Sequence, residues 1–121
     1  MKYTLLFYEV ESEFAKRESE DAPAYWGAWS AYIDLLFDQK LFEPGTGAGL
    51  QVPSTASTVR TNGGQTLIQG GPIADTKEQL AGFLIIDVPS LDEALDWATK
   101  APCASTGAVE VRPVLAPPPS A

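Results

Sequence analysis

Apolar residues recur with two different periods along the chain, and these periods separate predicted strands from predicted helices. Residues 3–10 carry large apolar side chains on both faces, which is typical of a central strand covered on both sides. Apolar residues at helical spacing then predict a helix over about residues 22–40, with Asp21 as N-cap and Pro23 in the first turn. The predicted buried stripe of this helix consists of Tyr25, Trp26, Trp29, Ile33, Leu36 and Phe37.

The second half of the chain shows short apolar runs separated by turn residues. Residues 56–60 and 65–69 flank an Asn-Gly pair, a strong short-range signal for a β-hairpin. Residues 82–88 form a continuous apolar run and residues 108–114 alternate, so each predicts a strand. Between them, the sequence Ser90-Leu91-Asp92-Glu93 predicts a capping box at the start of a second helix.

Two internal stretches show no clear period and are predicted as loops. Residues 11–20 are acidic and irregular, and residues 41–51 are rich in glycine and contain Pro44. Residues 115–121 hold three consecutive prolines and are interpreted as an extended tail that follows a single domain over residues 1–114.

The predicted order is strand, helix, hairpin, strand, helix, strand. This order favours an α+β fold, a ferredoxin-like βαββαβ sandwich with a mainly antiparallel sheet. In such a fold both helices pack on one face of the sheet and the other face is left apolar and bare. The expectation is therefore a homodimer in which two copies cover each other's open sheet face.

Composition excludes several classes of function. Sixteen acidic against eight scattered basic residues give a net charge of −8, which disfavours nucleic acids and anionic membrane surfaces as partners. No run approaches the roughly 18 apolar residues of a membrane span, and the expected location is the cytoplasm. Histidine is absent and Cys103 is the only cysteine, so no metal or other cofactor is expected.

The candidate chemistry lies in a polar turn between two apolar runs, at residues 71–78. Asp75 has two interpretations: it caps a short helical turn together with Glu78, or it acts as a general acid or base at the mouth of a pocket. In the second interpretation Lys77 or Arg112 holds the anionic part of a substrate. A cross-strand ion pair of Glu110 or Arg112 with Lys77 or Arg60 is the structural alternative. The ligand-binding candidates are Lys77, Glu78, Arg112, Arg60 and Tyr8.

Three spaced motifs resemble the DGPF-type branch of the YCII-related family. They are the opening Met-Lys-Tyr-x-Leu-Leu-x-Tyr-Glu, the central Gly71-Pro72-x-Ala74-Asp75-Thr76-Lys77-Glu78, and the closing Val109-Glu110-Val111-Arg112-Pro113. Gly70 and Ile73 stand where that branch has an aspartate and a phenylalanine, so no role of that aspartate is carried over.

The resemblance implies a dimeric ferredoxin-like α/β-barrel protein. A few relatives resemble dehydrochlorinases or isomerases that act on small cyclic acids or phenols, and members often neighbour extracytoplasmic-function sigma factors in bacterial genomes. The favoured interpretation is a small dimeric protein that binds an anionic or phenolic molecule near residues 71–78. Lyase- or isomerase-like chemistry by a carboxylate is left open. The alternative is a non-catalytic regulatory or protein-interaction module linked to sigma-factor regulation.

Overall fold

A computed structural model of the chain describes residues 1–118. Its elements are β1 (Lys2–Val10), α1 (Glu11–Ala15), a 3-10 turn (Lys16–Glu18), α2 (Ala22–Asp38), β2 (Phe42–Gly49), a second 3-10 turn (Pro53–Thr55), β3 (Ser57–Asn62), β4 (Gln65–Gly70), β5 (Glu78–Asp87), α3 (Leu91–Thr99) and β6 (Ala108–Pro113). Residues 119–121 of the predicted tail lie outside the described residues, and the division into a domain and a tail stays a prediction.

The main sheet has four antiparallel strands in the order β2-β5-β1-β6. Strand β1 lies in the interior of this sheet, with Leu5 opposite Leu84 of β5 and opposite Val111 of β6. Within residues 1–118, strands β3 and β4 pair only with each other, through a turn in which Gly63 and Gly64 have positive φ. The predicted α+β ferredoxin-like fold is confirmed, with the hairpin inserted between its second and third strands.

The core lies between one face of this sheet and the helices α2 and α3. Tyr3, Leu5 and Phe7 of β1 point into it and are almost fully buried. The hydroxyl of Tyr32 donates to the carbonyl of Trp97 at 2.8 Å and thereby joins the two helices. No helix within residues 1–118 has the length and apolarity needed to cross a membrane.

Residues 41–51 do not form the predicted connecting loop, because most of them belong to the edge strand β2. Glycine is what permits this strand to pair closely. A Cβ at Gly47 would lie 2.5 Å from the carbonyl oxygen of Phe83, and Gly45 has a φ of 88° at an irregularity in the pairing. The glycines on which the loop prediction was based are therefore part of a strand.

Residues 11–20 were also predicted wrongly, since they contain α1 and the first 3-10 turn. These turns are too short for a repeating apolar stripe to appear in the sequence. Phe14 is the buried residue of α1 and holds this helix against the rest of the protein. Lys16 and Glu13 form an ion pair on its surface.

Helix α2 matches its predicted range, although two details of the prediction are wrong. Trp26 and Phe37 are 47% and 52% exposed, so the buried stripe is narrower than predicted. Asp21 occupies the N-cap position, but its side chain makes no capping hydrogen bond because its backbone is already helical, with φ −82° and ψ −3°. At α3, by contrast, the Ser90 half of the predicted capping box is present, since its side chain accepts a hydrogen bond from the Glu93 amide at 3.3 Å.

Candidate functional site

Glu9 is a charged residue at a core position. It continues the inward-facing alternation of Tyr3, Leu5 and Phe7 along β1, and it is only 2% exposed. A carboxylate is rarely buried to this extent unless partners compensate for the water that it loses. The partners of Glu9 therefore define a polar cluster inside the fold.

The carboxylate of Glu9, the guanidinium of Arg17 and the hydroxyl of Tyr25 form a closed triangle. Tyr25 donates to Oε1 of Glu9 at 2.6 Å, and Nη2 of Arg17 contacts the same oxygen at 3.4 Å. Nε of Arg17 donates to the Tyr25 hydroxyl oxygen at 3.0 Å. The triangle ties β1, the first 3-10 turn and α2 to one another.

Further contacts fix the orientation of the Arg17 side chain. Its Nη1 donates to the carbonyl of Leu50, and its Nη2 contacts the carbonyl of Ala81 at 3.4 Å. The guanidinium carbon also lies 4.9 Å from the ring centre of Phe14 and 5.4 Å from that of Trp26. The side chain is 12% exposed, so this cation is held in place while a small part of it stays accessible.

Two cavities meet at Arg17. The first, called the α2 pocket here, has a volume of about 320 Å³ and lies between α2 and the strands β2 and β5. The second, called the groove, has a volume of about 1700 Å³ and lies between residues 10–18, residues 49–54 and the turn after β4. Arg17, Trp26 and Gly49 line both cavities.

Of the predicted site residues, Asp75 and Lys77 lie together on the wall of the groove. Residues 71–77 form no helix, so the capping interpretation of Asp75 is wrong. Gln79 stabilises this turn instead, because its side-chain amide donates to the carbonyls of Ala74 at 2.8 Å and Thr76 at 3.0 Å.

The other four candidates lie outside the walls of both cavities. Glu78 starts β5 opposite Val10, and Tyr8 lies opposite Leu80 on the sheet face away from the helices. Arg60 is exposed on the hairpin. Arg112 forms an ion pair with Glu110 on its own strand and not with Lys77 or Arg60.

Sequence reasoning missed Glu9, Arg17 and Tyr25 as a unit. One signal was present: in the alternation of β1, Glu9 falls on the face of Tyr3, Leu5 and Phe7, where a charge needs a partner. Arg17 gave no comparable signal because it lies in a segment without periodicity. Within residues 1–118, no group of three or more Cys, Asp and Glu side chains is arranged to hold a metal ion.

Burial, followed by the hydrogen bond to Glu9, raises the pKa of Tyr25 to about 12 from an ordinary value of 10.0. Because the folded state then holds this proton more tightly than the unfolded chain, the stabilisation is complete below about pH 10 and is lost as the pH rises through about 12. We expect the free energy of unfolding to fall between about pH 10 and pH 12. Tyr25→Phe should make the slope of this fall with pH less steep.

Denaturant titrations at a series of alkaline pH values measure that slope. Burial also raises the pKa of Cys103 to about 12 and raises the pKa of Tyr32, so part of the slope remains in the variant. A Tyr25→Phe protein with the same slope as the wild type would show that this hydroxyl does not titrate as a buried group.

Comparison with known proteins bears on the family and on the fold. A family model described as the YCII-related domain matches residues 1–116. The uncharacterized protein R00369 from Rhizobium meliloti (strain 1021) is 54% identical over 66 residues, and this match covers 52% of the present chain and 53% of that protein. The chain thus matches about half the length of this relative.

A solved structure shares the fold. It is 5-chloro-2-hydroxyhydroquinone dehydrochlorinase (TftG) from Burkholderia phenoliruptrix AC1100, in complex with 2,5-dihydroxybenzoquinone. The alignment has a TM-score of 0.54 and 17% identity, and it covers 95% of the present chain and 94% of TftG. At this identity the likeness concerns the fold alone.

Proposed function

The chain belongs to the YCII-related family, and we propose that it binds a small anionic or phenolic molecule where the α2 pocket meets the groove. The observation that carries this proposal is Arg17, a fixed and partly accessible cation in the wall of both cavities. The surface as a whole has a net charge of −8 and repels anions, so an anion is expected to bind where the guanidinium of Arg17, which also pairs with Glu9, lies in the cavity walls.

The α2 pocket has the character of a small-molecule site. Ligand pockets measure roughly 300–1,000 Å³ and combine apolar walls with a few fixed polar groups. This pocket holds about 320 Å³, has aromatic residues in its walls, and places Arg17 and Tyr25 among its lining residues. Such a pocket suits a small ring that carries an anionic or phenolic oxygen.

The ligand of the structural neighbour TftG belongs to the same chemical class as the ligand proposed here. TftG was solved in complex with 2,5-dihydroxybenzoquinone, a small oxygenated ring. The proposal for the present chain uses its own residues, since Arg17 and Tyr25 supply the polar end of the α2 pocket and Trp26 and Trp29 supply aromatic surface.

For the chemistry we propose proton transfer of the lyase or isomerase type, with Asp75 as the base. Asp75 and Lys77 line the groove that Arg17 also lines. A carboxylate in this position removes a proton from a C–H bond next to a carbonyl group; the C–H electrons form a C=C bond and the carbonyl π electrons move to oxygen, which gives an enolate. Arg17 and Lys77 stabilise that negative charge until the proton is returned to another carbon, as in an isomerase, or until the enolate expels an anionic leaving group from the β-carbon, as in a lyase.

The test separates binding from turnover. Small carboxylic, phenolic and enolic acids are screened by thermal shift, because a ligand at 100 times its Kd stabilises the fold by about 2.7 kcal/mol. We expect hits with the wild type, and we expect Asp75→Asn to abolish turnover of a hit while changing its Kd less than about threefold. Asp92→Asn, on the exposed first turn of α3, is the control.

Each result of this screen decides between the candidate functions. Hits without any turnover would contradict the acid–base role and leave a binding protein. No hit at all would contradict small-molecule binding and favour the alternative, a regulatory or protein-interaction module linked to sigma-factor regulation. One feature favours that alternative: the hairpin exposes apolar side chains, namely Val59 at 59%, Leu67 at 62% and Ile68 at 69%.

A homodimer is proposed as the assembly. The sheet face opposite α2 and α3 carries partly exposed apolar side chains, including Leu6, Phe83 and Ile85. Light scattering is expected to give twice the chain mass of 12.9 kDa. Leu6→Glu should shift the mass to that of a monomer, whereas Leu95→Glu, on the surface of α3, should leave it unchanged. A wild-type monomer at micromolar concentration would contradict this proposal.

A further inference from the structure

We infer that the ligand spans both cavities: an aromatic ring lies in the α2 pocket, the anionic group lies at Arg17, and a second, uncharged arm enters the groove. The inference rests on the proposed function, because it specifies the class of acid that binds at the same site. It depends on the residues that the two cavities share, on the free space at Gly49 and on the position of Asp75.

The passage between the two cavities is formed by the residues that line both of them, Arg17, Trp26 and Gly49. The guanidinium carbon of Arg17 lies 5.4 Å from the ring centre of Trp26, and Gly49 contributes no side chain. An anion that binds to Arg17 at this point therefore has the α2 pocket on one side and the groove on the other.

The sheet register shows where a side chain at position 49 would point. In the pairing of β2 with β5, Gly47 lies opposite Leu84 and Gly49 lies opposite Gly82. Alternate residues of a strand lie on the same face of the sheet. Leu84 belongs to the core beneath the helices, so a side chain at position 49 would point toward α2 and into the passage that Gly49 lines.

The backbone does not require glycine at position 49, in contrast to the glycines beside it. A Cβ on Gly47 would lie 2.5 Å from the Phe83 carbonyl oxygen, and a Cβ on Gly82 would lie 2.9 Å from that of Ala48. A Cβ on Gly49 would meet no heavy atom within 4 Å, and this residue does not have a positive φ. The missing side chain keeps the passage between the cavities open.

Apolar surface is present on each side of the passage. On the side of the α2 pocket it includes Ile33 and Trp29, whose ring packs edge-to-face on Phe7 with ring centres 4.8 Å apart. On the side of the groove it includes Val52 and Pro53, which are half-buried. A molecule with apolar groups on both sides of its anionic group therefore removes more apolar surface from water than a molecule with one such group.

The position of the proposed base also calls for a second arm. Asp75 and Lys77 line the groove and do not line the α2 pocket. When the ring lies in the α2 pocket, a C–H bond that reaches Asp75 belongs to the part of the substrate on the groove side of Arg17. Glu11 and Glu18 line the groove as well, and together with Asp75 they disfavour a second anionic group there. The substrate class is a monoanion with an aromatic ring on one side and an uncharged, carbonyl-bearing arm on the other.

Three carboxylates serve as probes of this arrangement. Benzoate and phenylacetate carry one ring, whereas diphenylacetate carries a ring on each side of its carboxylate. Tryptophan fluorescence reports their binding, since Trp26 lines both cavities. The wild type is expected to bind diphenylacetate at least about tenfold more tightly than phenylacetate, because the second ring is partly removed from water in the groove.

Variants on the two sides of Arg17 locate the second ring. Gly49→Val narrows the passage and should remove most of the difference between the Kd of phenylacetate and that of diphenylacetate. Val52→Ser removes apolar surface from the groove and should lower the ratio of these two Kd values by about threefold. Gly70→Val, a control on the exposed strand β4 with equally free space at its Cβ, should leave the ratio unchanged.

A smaller ratio in the wild type, with both acids weakened by Arg17→Met, would overturn the spanning ligand and leave the proposed function intact. A wild-type ratio in folded Gly49→Val or in folded Val52→Ser would overturn it as well, because the second ring would then bind elsewhere. If Gly49→Val does not fold, Gly49→Ala replaces it and is expected to lower the ratio by a smaller factor. If none of the three acids binds at millimolar concentration, or if Arg17→Met weakens none of them, both the spanning ligand and the proposed anion site are contradicted.

Discussion

Replacing Glu9 with alanine is expected to lower the free energy of unfolding by about 3–5 kcal/mol, the usual cost of removing one partner of a buried ion pair. The substitution leaves the Tyr25 hydroxyl and the Arg17 guanidinium without the oxygen Oε1 that both contact. It also creates a cavity at a position that is 2% exposed. Chemical denaturation followed by circular dichroism measures the loss.

Glu11→Ala is the matched control, since Glu11 lies two residues further along the chain and is exposed. The free energy of unfolding of Glu11→Ala is expected to stay within about 0.5 kcal/mol of the wild-type value. A double variant, Glu9→Leu with Arg17→Leu, should lose less free energy of unfolding than Glu9→Leu and Arg17→Leu lose together as single variants. The reason is that the double variant leaves neither charge buried without its partner. A loss below about 1 kcal/mol for Glu9→Ala would mean that the triangle contributes little to the stability of the fold.

Replacing Arg17 with methionine is expected to weaken benzoate binding by roughly 10–150-fold. This factor corresponds to the 1.5–3 kcal/mol of a hydrogen bond to a charged group. Methionine is an unbranched apolar side chain that supplies no donor and no charge. Fluorescence titrations are made at a temperature at which circular dichroism shows the variant to be folded, since Arg17 also contributes to stability through Glu9.

Arg60→Met, on the exposed hairpin, removes one cation at a distance from the α2 pocket and should leave the Kd unchanged. Arg17→Lys keeps a positive charge but not the planar guanidinium, so its loss of benzoate affinity should lie between that of the wild type and that of Arg17→Met. If folded Arg17→Met binds benzoate as tightly as the wild type does, Arg17 is a structural residue and the proposed site is wrong.

Much of the fold could be predicted because long periodic segments determine it. The apolar residues of β1 identified an interior strand, the 3.6-residue period identified α2, and Ser90 identified the start of α3. Segments whose structure depends on distant partners were missed. Strand β2 is a strand because Gly47 lets it approach β5, and α1 is stabilised by Phe14 against the rest of the protein.

The candidate site was harder to predict than the fold for the same physical reason. Asp75 and Lys77 belong to a turn that stands out in the sequence, and the structure places them on the groove. The triangle of Glu9, Arg17 and Tyr25 joins residues 8 and 16 positions apart through contacts that no local pattern records. Only the tertiary structure brings their side chains together.

The most direct test of the central claim uses the three tryptophans. Trp26 and Trp29 line the α2 pocket, whereas Trp97 belongs to α3 and its side chain lies in the core. In a nitrogen–proton correlation spectrum, each indole N–H gives one signal, which single Trp→Phe variants assign. Saturation with benzoate is predicted to shift the signals of Trp26 and Trp29 and to leave that of Trp97 in place. Unchanged signals for Trp26 and Trp29 would contradict a ligand site at Arg17 in the α2 pocket.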